Sequence, residues 1–140
     1  MDITSAAERF ALALDGEDYD TARSCLSRDA VYTISDEEHR GPDAIIASYQ
    51  GNGDWASRAI DRIEYESRVR ATGPLSAVIT FVDRIEHAGH KLVHQCEQHL
   101  AFDDEGRILQ IRHVDLPGEP EALRDFFQTV GLARSSEKEA

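Results

Sequence analysis

Val78-Ile79-Thr80-Phe81-Val82-Asp83-Arg84-Ile85, followed across the tip His87-Ala88-Gly89-His90 by Leu92-Val93-His94-Gln95-Cys96-Glu97-Gln98-His99-Leu100-Ala101-Phe102, reads as two strands and the turn that joins them. In the first run the odd positions carry Ile79, Phe81 and Ile85. In the second the even positions carry Leu92, Cys96, Leu100 and Phe102. Successive side chains of a strand point to opposite faces, so these two sets define one apolar face of a hairpin. A loop of two or four residues at the tip pairs Phe81 with Cys96 and sets Asp83 opposite His94. The pattern therefore aims a carboxylate and an imidazole at the same inner face, where water is scarce.

The rest of the chain bounds what that face can serve. Its 140 residues suffice for one domain with a buried core. Lys and Arg total 15 against 27 Asp and Glu, a formal charge of -12, which repels phosphate backbones and anionic membrane surfaces and argues against a nucleic-acid partner. No apolar run approaches the roughly 20 residues of a membrane span, and Met1-Asp2-Ile3-Thr4 lacks the basic start of a leader. Cys25 and Cys96 suit buried, reduced thiols. The expectation is a soluble, cytoplasmic protein.

Around the hairpin the elements fall in a simple order. Ile3 to Asp15 carries Phe10, Leu14 and several alanines at helical spacing, with Thr4 or Ser5 as N-cap and Gly16 beyond its end. Tyr19 to Leu26 reads as a short helix and Ala30 to Ile34 as a strand with Tyr32 and Ile34 on one face. Ser35 to Arg40 reads as a polar loop, and a third helix runs from Pro42 to about Tyr49, ended by Gly51-Asn52-Gly53. Strands are expected over Ala59 to Ala71, in the hairpin, and over Ile108 to Leu116. Pro117 and Pro120 then bracket a linker to a last helix from Glu121 to Val130. Helices first and an antiparallel meander after make an α+β domain over residues 1–134, with a polar tail at 135–140. A long twisted sheet curled around the N-terminal helices leaves a cone-shaped cavity.

This order, with Glu8-Arg9-Phe10-Ala11-Leu12-Ala13-Leu14-Asp15-Gly16-Glu17-Asp18-Tyr19-Asp20, Asp29-Ala30-Val31, Gly41-Pro42-Asp43-Ala44-Ile45 and Phe102-Asp103-Asp104-Glu105-Gly106-Arg107-Ile108, resembles the NTF2-like superfamily in its SnoaL-like and ketosteroid isomerase branch. The resemblance implies a cone-shaped fold whose members include isomerases, cyclases, dehydratases, epoxide hydrolases and non-enzymatic binders. Ketosteroid isomerases use a tyrosine and a protonated aspartic acid as oxyanion donors and a second aspartate as base. The resemblance places these on Phe10, Gln98 and Ile34, none of which can play the part. It also implies that Ile111, His113 and Asp115 of the last strand face the cavity with Phe81, Asp83, His94, Cys96 and Gln98.

Two readings of Asp83 and His94 stay open. As a catalytic dyad, the carboxylate orients the imidazole and raises its basicity, while Gln98, Tyr32 and His113 bind or polarise substrate. As a structural cross-strand ion pair, the same residues do no chemistry. His94, Cys96, His113 and Asp115 are metal-ligand types on neighbouring strands, but no dense ligand motif accompanies them and no metal is assigned. Cys96 on an alternating apolar strand reads as a small hydrophobe before it reads as a nucleophile. The outward set Gln95, Glu97, His99, Gln110 and Arg112 suits either a homodimer interface or a solvated face. The expected function is binding of a small apolar organic molecule in the cone, with cofactor-free acid-base isomerase, dehydratase or hydrolase chemistry. The alternative is a non-catalytic ligand-binding or dimerisation module.

Overall fold

The computed structural model describes residues 2–132, so the tail expected at 135–140 lies outside the described residues. The elements run α1 (Ile3–Asp15), α2 (Tyr19–Ser24), β1 (Leu26–Ile34), β2 (Glu37–Arg40), α3 (Pro42–Ala59), β3 (Arg62–Gly73), β4 (Ser76–His87), β5 (His90–Phe102), β6 (Ile108–Asp115) and α4 (Glu119–Thr129). The strands form one curved, unclosed six-stranded sheet in the order β2-β1-β6-β5-β4-β3. Its pairs are antiparallel except β1 with β6, which is parallel. The architecture is α+β, as expected.

The decisive hairpin has the expected register. Phe81 pairs with Cys96, Asp83 with His94 and Ile85 with Leu92. His87 pairs with His90, leaving the two-residue turn Ala88-Gly89 with φ of 51° and 80°. Positive φ at both central positions matches the right-handed twist of the flanking strands, which is why this short loop closes without splaying them.

Several element boundaries differ from the sequence reading, each for a local reason. The N-cap of α1 is Asp2, whose carboxylate accepts the backbone N–H of Ser5 at 3.3 Å; neither Thr4 nor Ser5 caps it. Helix α2 stops at Ser24, and β1 begins at Leu26, four residues earlier than expected, to pair Leu26 with Ile108 of β6. The supposed loop before Arg40 contains β2, a short and polar edge strand whose charges face solvent. Strand β3 begins at Arg62 and not at Ala59.

Helix α3 is the largest departure, running through Gly51-Asn52-Gly53 to Ala59. Burial of Ala56 in the helix and of Ile60 at its C-cap outweighs the glycine penalty. Gly53 lets α3 pass close to Tyr19, since a Cβ would lie 2.8 Å from the Tyr19 hydroxyl and displace that ring end. Trp55 accordingly sits within the helix, edge-on to Phe127 of α4. Helix α4 starts at Glu119 with Pro120 in its first turn, so this proline opens the helix and does not bracket a linker.

The apolar interior divides in two. The main cluster joins α1 and α3 to the sheet through Phe10, Ile45, Ile46, Ile79, Ile108 and Ile111. A smaller one lies under α4 and comprises Ala56, Ile60, Ile85, Phe126 and Phe127. Among the described residues no helix is long and apolar enough to cross a membrane.

Candidate functional site

Between the two clusters lies a cavity of about 210 Å³. It is small beside the ~300–1,000 Å³ of typical ligand clefts, so only a compact molecule fits. Phe81, Asp83 and Ile85 of β4 and His94 and Cys96 of β5 supply the sheet wall, and Ile63 and Tyr65 of β3 extend it. Tyr49, Trp55 and Ala56 of α3 face them, Leu123 and Phe127 of α4 lie on another side, and Leu14 and Asp15 of α1 complete the enclosure with Glu17 and Tyr19. Strand register explains the wall: Tyr65 pairs with Asp83 and Asp83 with His94, giving one row across three strands on the inner face.

The ionisable groups in this row are unequal. Asp83 is half-buried at the cavity wall, and no side chain or backbone N–H among the described residues donates to its carboxylate. Burial, reinforced by the charge of Asp15, pushes its pKa up to about 6. Asp15, half-buried at the last position of α1, is also raised by burial and by Glu66, against a 2.7 Å hydrogen bond from the Ser67 hydroxyl. Burial and then the Asp83 charge push both the Tyr65 hydroxyl and the Cys96 thiol up to about 12. Cys96 therefore stays a thiol at neutral pH, as its place on an apolar strand led us to expect.

His94 has a different partner from the one its register offers. No hydrogen bond or ion pair joins it to Asp83 among the described residues. Its Nδ1 lies 3.3 Å from Glu119 Oε1 at the start of α4, out of hydrogen-bond alignment, while that oxygen accepts the backbone N–H of Gln95 at 3.0 Å. Burial lowers the pKa of His94 below 6.5, outweighing the opposing pull of Glu119 and Asp115. The imidazole is neutral at pH 7.

Deeper in the sheet Gln98 is buried and organises a second polar group. Its Oε1 accepts from the Tyr49 hydroxyl at 2.5 Å, and its Nε2 donates to the Tyr32 hydroxyl at 3.0 Å and lies 3.4 Å from His113 Nδ1. The rings of Tyr32 and Tyr49 stack at 5.1 Å. His113 Nε2 is 2.9 Å from Asp115 at the exposed end of β6. Tyr49 connects the two groups, since its ring lines the cavity and its enclosed hydroxyl is held by Gln98.

No protein-family model and no curated protein sequence matches the chain. Solved structures do. A protein of Xanthomonas campestris pv. campestris, provisionally described as a polyketide cyclase, superposes at TM-score 0.68 with 15% identity, covering 91% of this chain and 96% of its own. An NTF2-like protein of unknown function from Burkholderia pseudomallei gives TM-score 0.67 and 16% identity over 89% of this chain and 97% of its own. The chain has the NTF2-like fold. An LEH-like epoxide hydrolase of M. tuberculosis shares it at TM-score 0.62 and 22% identity, over 92% of this chain and 95% of its own. At such identities the likeness is one of fold.

Within this NTF2-like fold the expected site residues separate. Phe81, Asp83, His94 and Cys96 line the cavity together. Phe10, Tyr32 and Ile111 are buried in the main core, and Ile34 packs against it half-exposed. Gln98, His113 and Asp115 form the polar chain behind Tyr49 and are not among the cavity-lining residues. His94, Cys96, His113 and Asp115 do not converge, and no group of three or more His, Cys, Asp or Glu among the described residues is arranged to hold a metal ion. Sequence reasoning missed Asp15, Tyr65 and Glu119. The parity of β3 would have found Tyr65, but nothing in the sequence marks Glu119 as the neighbour of His94.

Proposed function

We propose that the chain binds a small, largely apolar organic molecule in the cavity beside Asp83 and His94, and transforms it by cofactor-free acid-base chemistry as an isomerase, dehydratase or hydrolase. Asp83 carries this reading. It is a carboxylate without a donor on an apolar wall, with a pKa of about 6 that lets it take up or release a proton near neutral pH. His94, neutral and on the adjoining strand, is a second group able to accept a proton beside the same void. The two act as separate groups on one wall, not as a hydrogen-bonded dyad.

A second reading, ligand binding without turnover, draws on Glu119, which accepts the Gln95 backbone N–H and lies beside His94, tying α4 to β5. Both readings include a homodimer through the outer sheet face and a reducing, cytoplasmic setting in which Cys25 and Cys96, both free, remain thiols. A structure determined after soaking with small hydrophobic ketones, enols and epoxides tests the site. Density beside Asp83 and His94 is expected, and ligands bound only elsewhere count against it. Loss of turnover in Asp83→Asn and His94→Gln with binding retained selects the catalytic reading.

A further inference from the structure

We propose that the cavity selects ligands carrying a basic nitrogen, whose ammonium sits between Asp83 and Asp15 while its apolar body fills the space beneath Trp55 and Phe127. This rests on the reading of the cavity as a ligand site, and not on turnover.

The wall is electrically one-sided. Asp15, Glu17 and Asp83 line it, whereas no Lys or Arg among the described residues does, and burial favours neutral His94. Asp83 feels the charge of Asp15 on the same wall, and the Ser67 hydroxyl donates to Asp15. A carboxylate taken out of water is costly unless it is paired, and among the described residues this pair has no cation of its own. An ammonium placed there supplies both the missing charge and the missing donors.

The backbone adds to the same field. Asp15 is the last residue of α1 and Gly16 its C-cap, so the carbonyl end of a 13-residue helix lies beside the acids. A helix C-terminus carries about half a negative charge, which disfavours a carboxylate at that position and favours a cation. An acidic residue in this place works against the helix itself and in favour of a positively charged guest.

Aromatic faces complete the pattern. Tyr49, Tyr65, Trp55 and Phe81 line the void, and their π-faces attract an ammonium within about 6 Å. A bare metal ion is poorly served, because no set of three ligating side chains among the described residues converges. A neutral ligand leaves the charge of Asp83 and Asp15 unbalanced, and a carboxylate-bearing one meets three like charges. The volume of about 210 Å³ limits the guest to one small ring or a short branched chain with an amine arm.

The test is a set of matched amines, alcohols and carboxylates on benzyl, phenethyl and cyclohexyl skeletons, titrated by calorimetry and by chemical-shift perturbation in amine-free phosphate buffer at pH 7.5. Amines should bind roughly tenfold or more tightly than their alcohols, with the carboxylates weakest, as expected for a desolvated ion pair with aromatic support. Asp83→Asn and, separately, Asp15→Asn should each weaken the amines about tenfold while leaving the alcohols unchanged or tighter. Alcohols binding as tightly as amines would overturn the charge selection and leave the cavity site standing. If no compound shifts Phe81, Cys96 or Trp55 resonances, the cavity reading fails and the selection with it.

Discussion

Asp83 and His94 face each other in the β4–β5 register, yet His94 turns its Nδ1 to Glu119, 3.3 Å away on α4. Strand pairing fixes where two Cβ atoms stand and not where the χ angles send the polar ends. The partner of a cross-strand histidine is therefore decided by whatever packs over the sheet. Here that is the first turn of α4.

This assignment predicts how His94 titrates. Burial lowers its pKa, and Glu119 opposes the shift. Glu119→Gln should lower the pKa further, because the group that stabilises the imidazolium is lost. Asp83→Asn should leave it where it is. An NMR titration that responds to Asp83→Asn and ignores Glu119→Gln would reverse the assignment.

Asp83 makes an opposite contribution to stability. Its pKa rises on folding from an ordinary value of 3.8 to about 6, so the folded chain holds that proton more tightly than the unfolded one. Native stability contributed by this group is therefore fully present at low pH, falls as pH rises from near 4 through 6, and is gone above. Asp83→Asn removes the loss. The variant should match the parent near pH 3 and exceed it by about 1–3 kcal/mol at pH 7.5, at 1.36 kcal/mol per pKa unit. Denaturation midpoints whose difference does not change with pH would refute this.

The legible part of the fold was the part set by period-two alternation. Ile79, Phe81 and Ile85 against Leu92, Cys96 and Leu100 allow one register, since a slip of one residue turns every apolar side chain outward. The α1 helix was readable from Phe10 and its alanines, with Gly16 marking its end. Helix α3 was misread because Gly51 and Gly53 are breakers by propensity, whereas packing of Ala56 and Trp55 against distant residues decides the matter. The wall of the site was half legible for the same reason. Asp83, His94, Phe81 and Cys96 share one hairpin, but Asp15 and Tyr49 reach the cavity from α1 and α3, and Glu119 reaches His94 from α4, all far apart in sequence.

Steroid isomerisation should be absent. The positions at which the resemblance puts oxyanion donor and base hold Phe10, fully buried in the core, and Ile34. Loss of one oxyanion donor costs about 100- to 1,000-fold in rate, and the base is missing too. Turnover of a 3-oxo steroid at the rate of a competent isomerase would contradict this correspondence.

Homodimerisation through the outer face should proceed against internal pairing. Glu97 lies 3.6 Å from Arg70 and 3.0 Å from His99, so part of the proposed interface is already engaged within the chain. Gln110 and Arg112 are exposed beside it. A two-fold contact of about 1,200 Å² or more is expected. Sedimentation as a monomer at micromolar concentration would reject it, and Arg112→Glu should shift a real dimer toward monomer.

The buried Gln98 amide should carry more stability than its size implies. It accepts from Tyr49 at 2.5 Å and donates to Tyr32 at 3.0 Å, so one side chain satisfies two hydroxyls that burial holds far from ionisation. Gln98→Leu keeps the bulk and removes both partners. The expected cost is about 1–3 kcal/mol, the desolvation penalty of buried polar groups left unpaired. Tyr49→Phe in that background removes one of the stranded hydroxyls and should return part of the loss. The double variant should then cost less than the sum of the single ones by about 0.5 kcal/mol or more, as neighbours in one hydrogen-bond network do. Because the Tyr49 ring lines the cavity, Gln98→Leu should also loosen that wall and broaden Tyr49 ring resonances. Strictly additive urea midpoints with an unchanged Tyr49 spectrum would mean that Gln98 merely fills space.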